Sequence, residues 1–295
     1  MLAYTPDGFV MPHAHLVRWV EAIDVQPHPL RFIFHAGHVG STLLSRLIGE
    51  ADGVLSLREP PTLQTLALMH DALSSFESGF SHSQFETWTR TQLRLWQRGY
   101  ADTRCVVVKA TSDTARIGRT LMQLAPEARA ILLNVPAETF IAMMLSAPSL
   151  HELRSKARER RNRLSRTLGE SPPITSTGEA AAMSWLAEQL TQERLSHPWP
   201  TRTLRLDFDA FLANPSFHLG AVFHHLEIAS LVGDVARHPL MQRYSKSPGI
   251  AYSVADRAER LQQSGRDNAE EIRRGLGWID RVAQAYPPAA AALAA

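Results

Sequence analysis

The chain reads as an α/β protein of three layers, a central parallel sheet flanked by helices. Three observations predict this. Short apolar runs at 32–35, 54–57, 104–109 and 130–133 alternate with longer helical stretches over some 200 residues, the pattern of strands joined by crossover helices. Those runs are almost continuously apolar, as strands buried on both faces are. Finally, Phe32-Ile33-Phe34-His35 passes through Gly37 and Gly40 into Ser41-Thr42 and an amphipathic run with Leu43, Leu44, Leu47 and Ile48, so a glycine turn joins a strand to a helix start. No linker divides the chain. The expectation is a single domain over 1–295, with a core of about 31–230 and a C-terminal helical extension over 231–295.

The elements follow in order. A helix is predicted over 13–23, with Leu16, Trp19 and Val20 on one face, and Pro27 and Pro29 end the approach to the first strand. The helix after the loop runs to Ala51, and Asp52-Gly53 turns the chain into the second strand. Arg58-Glu59-Pro60-Pro61 closes that strand where open α/β sheets place their ligands. Two helical pieces over 62–99 meet at Ser74-Ser75-Phe76-Glu77-Ser78-Gly79; the second carries Phe85, Trp88, Leu93 and Trp96 as core residues. A third strand ends at Lys109, a helix starts near Ser112, and a fourth strand, Ala130–Leu133, closes at Asn134-Val135-Pro136 before a helix to Leu145.

The stretch 150–168 reads as a strongly basic helix, Arg154, Lys156, Arg158, Arg160, Arg161, Arg163 and Arg166 against Glu152 and Glu159. Such a run is either a solvated face or a grip on an anion. An amphipathic helix is expected over 178–195 with Trp185, Leu186 and Leu190. Residues 201–207 alternate as a strand exposed on one side does. Helices carrying Phe211, then Leu219, Val222 and Phe223 follow, and a charged helix carries Ile272, Leu276, Trp278 and Ile279; Pro287–Ala295 is expected to fray.

Composition excludes several classes. The chain has 295 residues, 44% hydrophobic and 20% charged, with a net charge of +2. That is a globular composition without the charge of a nucleic-acid coat. The single cysteine, Cys105, sits in an apolar run and reads as a buried strand residue. No internal disulfide is possible, no secretory leader is evident, and no apolar run is long enough to cross a membrane. A cytoplasmic protein without nucleic-acid or membrane partners is expected. His224-His225 does not make a metal site, because adjacent side chains diverge on a helix and no i, i+4 partner follows.

The glycine turn carries the chemistry. Gly37, Gly40, Ser41 and Thr42 before a helix read either as an ordinary capped turn or as an anion cradle, in which backbone N–H groups and the positive helix end converge on a phosphate. The triphosphate pattern G-x-x-x-x-G-K-[ST] does not fit, because Ser41 stands where it needs Lys and His35 where it needs Gly.

Several segments, in order, resemble the sulfotransferase family. Gly37-His38-Val39-Gly40-Ser41-Thr42-Leu43-Leu44 is similar to its 5′-phosphosulfate loop, Leu57-Arg58-Glu59-Pro60 to the E-P segment after its second strand, and Phe208-Asp209-Ala210-Phe211-Leu212-Ala213-Asn214-Pro215 to the Y-E-D-L-x-x-x-P segment before its late helices. Lys109 and Pro126–Leu132 resemble two segments between them. The resemblance spans about 31–230. It implies a three-layer P-loop fold and sulfuryl transfer from 3′-phosphoadenosine-5′-phosphosulfate, without a metal, to a hydroxyl or amine of a small-molecule or carbohydrate acceptor. It implies cofactor contacts from Gly37, His38, Val39, Gly40, Ser41, Thr42 and Asn134, with Glu59 as general base and Lys109 and His38 as further catalytic residues. The chain departs from the family at His38, where Arg or Lys is usual, and at the 3′-phosphate site. There Asn134 and Ala142 replace the usual Arg and Ser, so Arg158, Arg161, Arg243 and Lys246 become candidates for that charge. The alternatives are a catalytically inactive P-loop binding protein and a kinase-like phosphotransferase.

Overall fold

The computed structural model describes residues 11–23, 26–73, 78–229, 235–243 and 253–294. The junction at 74–77 and the candidate Lys246 lie outside the described residues. The described strands are β1 (Leu30–His35), β2 (Val54–Arg58), β3 (Cys105–Lys109), β4 (Arg129–Asn134) and β5 (Thr203–Asp207). They form one all-parallel sheet in the order β2-β3-β1-β4-β5. The order reverses about β1, so the end of β1 is a switch point, where a crevice opens at the carboxyl ends of the strands.

The helices are α1 (His13–Ala22), α2 (Ser41–Gly49), α3 (Pro61–Ala72), α4 (His82–Trp96), α5 (Gly118–Leu124), α6 (Ala137–Leu145), α7 (Ala147–Leu168), α8 (Thr177–Ser196), α9 (Phe208–Ala213), α10 (Pro215–Leu226), α11 (Val254–Asp267), α12 (Ala269–Ala285) and α13 (Pro287–Ala294). Successive residues of a strand face opposite sides, and the two cores follow from that. Ile33, Val107, Ile131 and Leu133 face Leu44, Phe140, Leu186 and Trp278. Phe32, Phe34, Val106, Val108 and Leu132 face Leu63, Trp96 and Leu121 on the other side. The three-layer α/β expectation holds, and Cys105 is a buried strand residue.

Four expectations change. Trp19 is half-exposed, with the Arg98 guanidinium over its ring. The helix expected from Ser112 opens as a short 3-10 turn at Thr114–Ile117 before α5. α8 is not amphipathic: it is buried on nearly every side, because α6, α7, α12 and α13 all pack on it. The frayed tail is a helix, with Ala289 and Ala292 buried against that bundle. Small side chains allowed this close approach where composition suggested only weak packing. Among the described residues no helix is long and apolar enough to cross a membrane.

Candidate active site

A cleft of about 1090 Å³ opens at the carboxyl ends of β1 and β3, and its wall includes the loop between β1 and α2. That loop turns left-handed at Gly37 (φ 100°), His38 (φ 55°) and Gly40 (φ 73°). A side chain on Gly40 would lie 2.0 Å from the Phe208 ring, and one on Gly37 3.2 Å from Glu152 Oε1. Gly40 therefore requires glycine for space as well as backbone freedom, and Gly37 chiefly for its left-handed backbone. No side chain caps α2, so its first-turn N–H groups and the positive end of its dipole meet the cleft at Ser41 and Thr42. Val39 is the exception within the expected loop set: its side chain is fully buried in the core.

His35, which stands where the triphosphate pattern has its first glycine, pins the loop. Its Nε2–H donates to the Ala110 carbonyl at 2.8 Å, and its Nδ1 accepts from the Gly37 N–H at 3.1 Å. Burial, helped by the Lys109 charge, pulls it down to about 3, so the ring is neutral and its tautomer is set by these two partners.

On one side of the loop stand Glu59 and Lys109. Glu59 has left-handed backbone (φ 52°), an uncommon conformation for a non-glycine residue. Its N–H donates to the Lys109 carbonyl at 2.8 Å, and its carboxylate accepts from the Lys109 ammonium. Lys109 is 2% exposed at its side chain and Glu59 47%. The carboxylate thus faces the cleft from a buried cationic base. Parallel pairing of Arg58 with Lys109 fixes this proximity through the β2–β3 register.

On the other side stands α7. Ser149, Glu152 and Lys156 share one helix face at i, i+3 and i+7. Glu152 Oε2 is 2.7 Å from His38 Nε2, and its Oε1 accepts from Ser112 Oγ at 2.8 Å. Lys156 donates to the Ser112 carbonyl at 3.0 Å and lies 3.4 Å from Glu152. Ser149 Oγ is 3.5 Å from His38 Nδ1. Burial alone would raise the Glu152 carboxyl. The His38 hydrogen bond and the Lys156 charge outweigh it, with Ser112 helping, and hold the group well below the usual carboxylate range.

The basic run on α7 divides. Arg160 and Arg163 turn inward to Glu188 of α8, at 3.0 and 2.7 Å, and Arg160 also donates to the Ala36 carbonyl at 3.0 Å, behind the loop. Neither Arg158 nor Arg161 lines the cleft, and Arg161 binds the exposed Ser171 instead. Asn134 is also off the cleft, its amide donating to Gln192 of α8. Ala142 does line it, and there Ser264 of α11 donates to the Ala142 carbonyl at 2.6 Å. Helix α11 thus walls the cleft and brings Arg257 and Arg260 to it, beside Arg243. Arg257 lies 5.3 Å over the Phe208 ring, the same ring that closes off Gly40, and it pairs with Asp209 at 2.6 Å. Among the described residues no group of three or more His, Cys, Asp or Glu is placed to hold a metal.

The sequence reading brought Gly37, His38, Gly40, Ser41, Thr42, Glu59 and Lys109 to one cleft. Arg243, a candidate for the 3′-phosphate charge, lines it too, and Lys156 and Glu152 come from the run read as a possible grip on an anion. Ser112, Arg257 and Arg260 were not singled out. The i, i+3, i+7 spacing of Ser149, Glu152 and Lys156 was a signal for that pair; the arginines of α11 had none.

No protein-family model and no curated protein matches the chain. Solved structures do resemble it. A sulfotransferase from Alicyclobacillus acidocaldarius shares 12% identity over 84% of this chain and 96% of its own, at a TM-score of 0.45. The sulfotransferase domain of the Synechococcus PCC 7002 olefin synthase shares 16% over 82% and 96%, at 0.43. A sulfotransferase from Mycobacterium tuberculosis shares 17% over 87% and 81%, at 0.42. Likeness at these levels decides neither fold nor chemistry, and both rest on this chain's own strands and side chains.

Proposed function

We propose that the chain binds 3′-phosphoadenosine-5′-phosphosulfate and transfers its sulfuryl group to a hydroxyl or amine of a small-molecule or carbohydrate acceptor. The observation that carries this reading is the uncapped α2 N-terminus, with Gly40 against Phe208, facing a carboxylate–lysine pair across one cleft. The loop N–H groups with Ser41 and Thr42 hold the 5′-phosphosulfate. The acceptor oxygen or nitrogen attacks sulfur, the bond from sulfur to the phosphate oxygen breaks, and the nucleotide leaves as the 3′,5′-bisphosphate. Glu59 takes the acceptor proton, Lys109 positions that carboxylate, and His38 donates to the transferring group. The second phosphate falls to Arg257 and Arg260 of α11, in place of the charge that Asn134 lacks.

The test is thermal unfolding with adenosine 3′,5′-bisphosphate. Millimolar ligand is expected to raise the melting temperature, because a ligand that binds only the folded state stabilises it. No shift overturns the reading, and a shift with ATP and Mg²⁺ instead points to phosphoryl transfer. Glu59→Gln is expected to keep the shift and abolish transfer; unchanged turnover removes Glu59 from the mechanism.

A further inference from the structure

We infer that Arg160 and His35 are positioning residues for the β1–α2 loop, holding the Ala36–Gly37 peptide by its two opposite polar atoms so that the anion cradle is set before any ligand arrives. This rests on the anion-binding reading of the loop and deepens it. The carbonyl and the N–H of one trans peptide point in opposite directions, so one side chain cannot hold both. Here two side chains do. Arg160 Nη2 donates to the Ala36 carbonyl at 3.0 Å, and the Gly37 N–H donates to His35 Nδ1 at 3.1 Å. Each holder is itself held. Arg160 Nε donates to Glu188 at 3.0 Å, and His35 Nε2 donates to the Ala110 carbonyl at 2.8 Å. Arg160, Glu188 and His35 are all buried. The loop is thus tied to α7 and α8 through the arginine, and to the segment after β3 through the imidazole.

Packing alone does not call for an arginine here. A buried guanidinium is costly to desolvate, and well-packed apolar side chains of similar volume often serve stability as well. Arg160 Nη1 is buried with no hydrogen-bond partner among the described residues, so the group is not fully compensated. What the arginine secures is the direction of the loop. Left-handed backbone follows at once, at Gly37 (φ 100°), His38 (φ 55°) and Gly40 (φ 73°), and such conformations persist where the surroundings over-determine them. The clamp spends the Gly37 N–H and leaves the donors after it. From His38 to Leu43 no backbone N–H has a protein partner among the described residues. Successive free N–H groups at a helix start suit an oxyanion, and a cradle already in shape loses less freedom when the ligand binds. Both nitrogens of His35 are taken, so its ring serves the loop and not the ligand.

Two measurements test this. Amide exchange of the ligand-free protein, followed by NMR, is expected to show the Gly37 N–H slowed by about a hundredfold or more in the wild type and released in His35→Leu, while β1 and β4 stay protected. A fast Gly37 amide in the wild type overturns the inference without any variant. Calorimetry with adenosine 3′,5′-bisphosphate is expected to show a loss of about tenfold in affinity in His35→Leu. Arg160→Lys, with one ammonium in place of a planar fork that reaches Glu188 and Ala36 together, is expected to lose as much. His35→Asn, whose Oδ1 can accept from the Gly37 N–H, is expected to recover most of the loss. Equal losses in the Leu and Asn variants, or undiminished affinity in His35→Leu, overturn the inference. Protection falling throughout β1 and β4 together with Gly37 marks a merely structural role and overturns it too. The expected exchange pattern without any bisphosphate binding in the wild type retires the phosphosulfate reading and leaves the clamp standing.

Discussion

α7 and α11 are both arginine-rich helices beside the same cleft, and they use their charges in opposite ways. α7 sends Arg160 and Arg163 into the interior, where Glu188 is fully buried between them. α11 turns Arg257 and Arg260 to the cleft. The difference lies in what packs opposite. α7 faces α8, which supplies a buried carboxylate, whereas α11 faces the rim of the β1–α2 loop across Phe208. A guanidinium that has lost its water needs a fixed anion, so Glu188 decides the fate of two arginines. Arg257 has a carboxylate partner too, Asp209 at 2.6 Å, but that pair lies partly exposed at the cleft, where a ligand can reach it, instead of sealed in the core.

The comparison breaks most readily at Glu188. Glu188→Ala strands Arg160 and Arg163 in the core, and unfolding by urea should lose about 3–5 kcal/mol; a loss below about 1 kcal/mol would make the buried network dispensable. Acid gives the next largest effect. Burial would raise Glu188, but Arg163 and Arg160 lower it to about 2 from 4.5. Its folded value lies below its unfolded one, so its contribution is whole above about pH 4.5 and is lost as pH falls through 2. Stability measured over that window should fall less steeply in Glu188→Gln than in the wild type. Arg257→Ala sharpens the other side of the comparison. It should weaken adenosine 3′,5′-bisphosphate binding by about tenfold, or ~1.4 kcal/mol, at a modest cost to the melting temperature, and undiminished affinity would remove α11 from the site. Arg161→Ala should change stability by less than about 0.5 kcal/mol and leave binding intact, since its partner Ser171 is exposed.

Much of the scaffold was legible, and for a physical reason. Strands such as Cys105–Lys109 lie within continuous apolar runs because both sheet faces are covered, and Gly37 and Gly40 mark a turn that other residues cannot make. Glu59 and Lys109 were readable singly, as ends of strands. Their pairing with each other depends on the β2–β3 register, which no local pattern states. Asn134 was placed by its resemblance to a family segment, and a segment match does not state that Gln192 of α8 will claim its side chain. α8 hid its surroundings because its burial comes from four helices distant in sequence, and its own charged and amide residues, Glu188, Gln189 and Gln192, resemble a wet face. Arg257 and Arg260 were invisible for the same reason: only the docking of α11, through Ser264 on Ala142, aims them.

That docking has a consequence for the newly made protein. The loop at Gly37–Thr42 leaves the ribosome before its opposite wall on α11, which follows all five described strands in the chain. Until then Phe208 has no arginine behind it, and the cleft stands open on one flank. Nucleotide captured by the finished site would draw the late helices onto the earlier bundle, so a supply of ligand during maturation would favour correctly closed molecules over partly assembled ones.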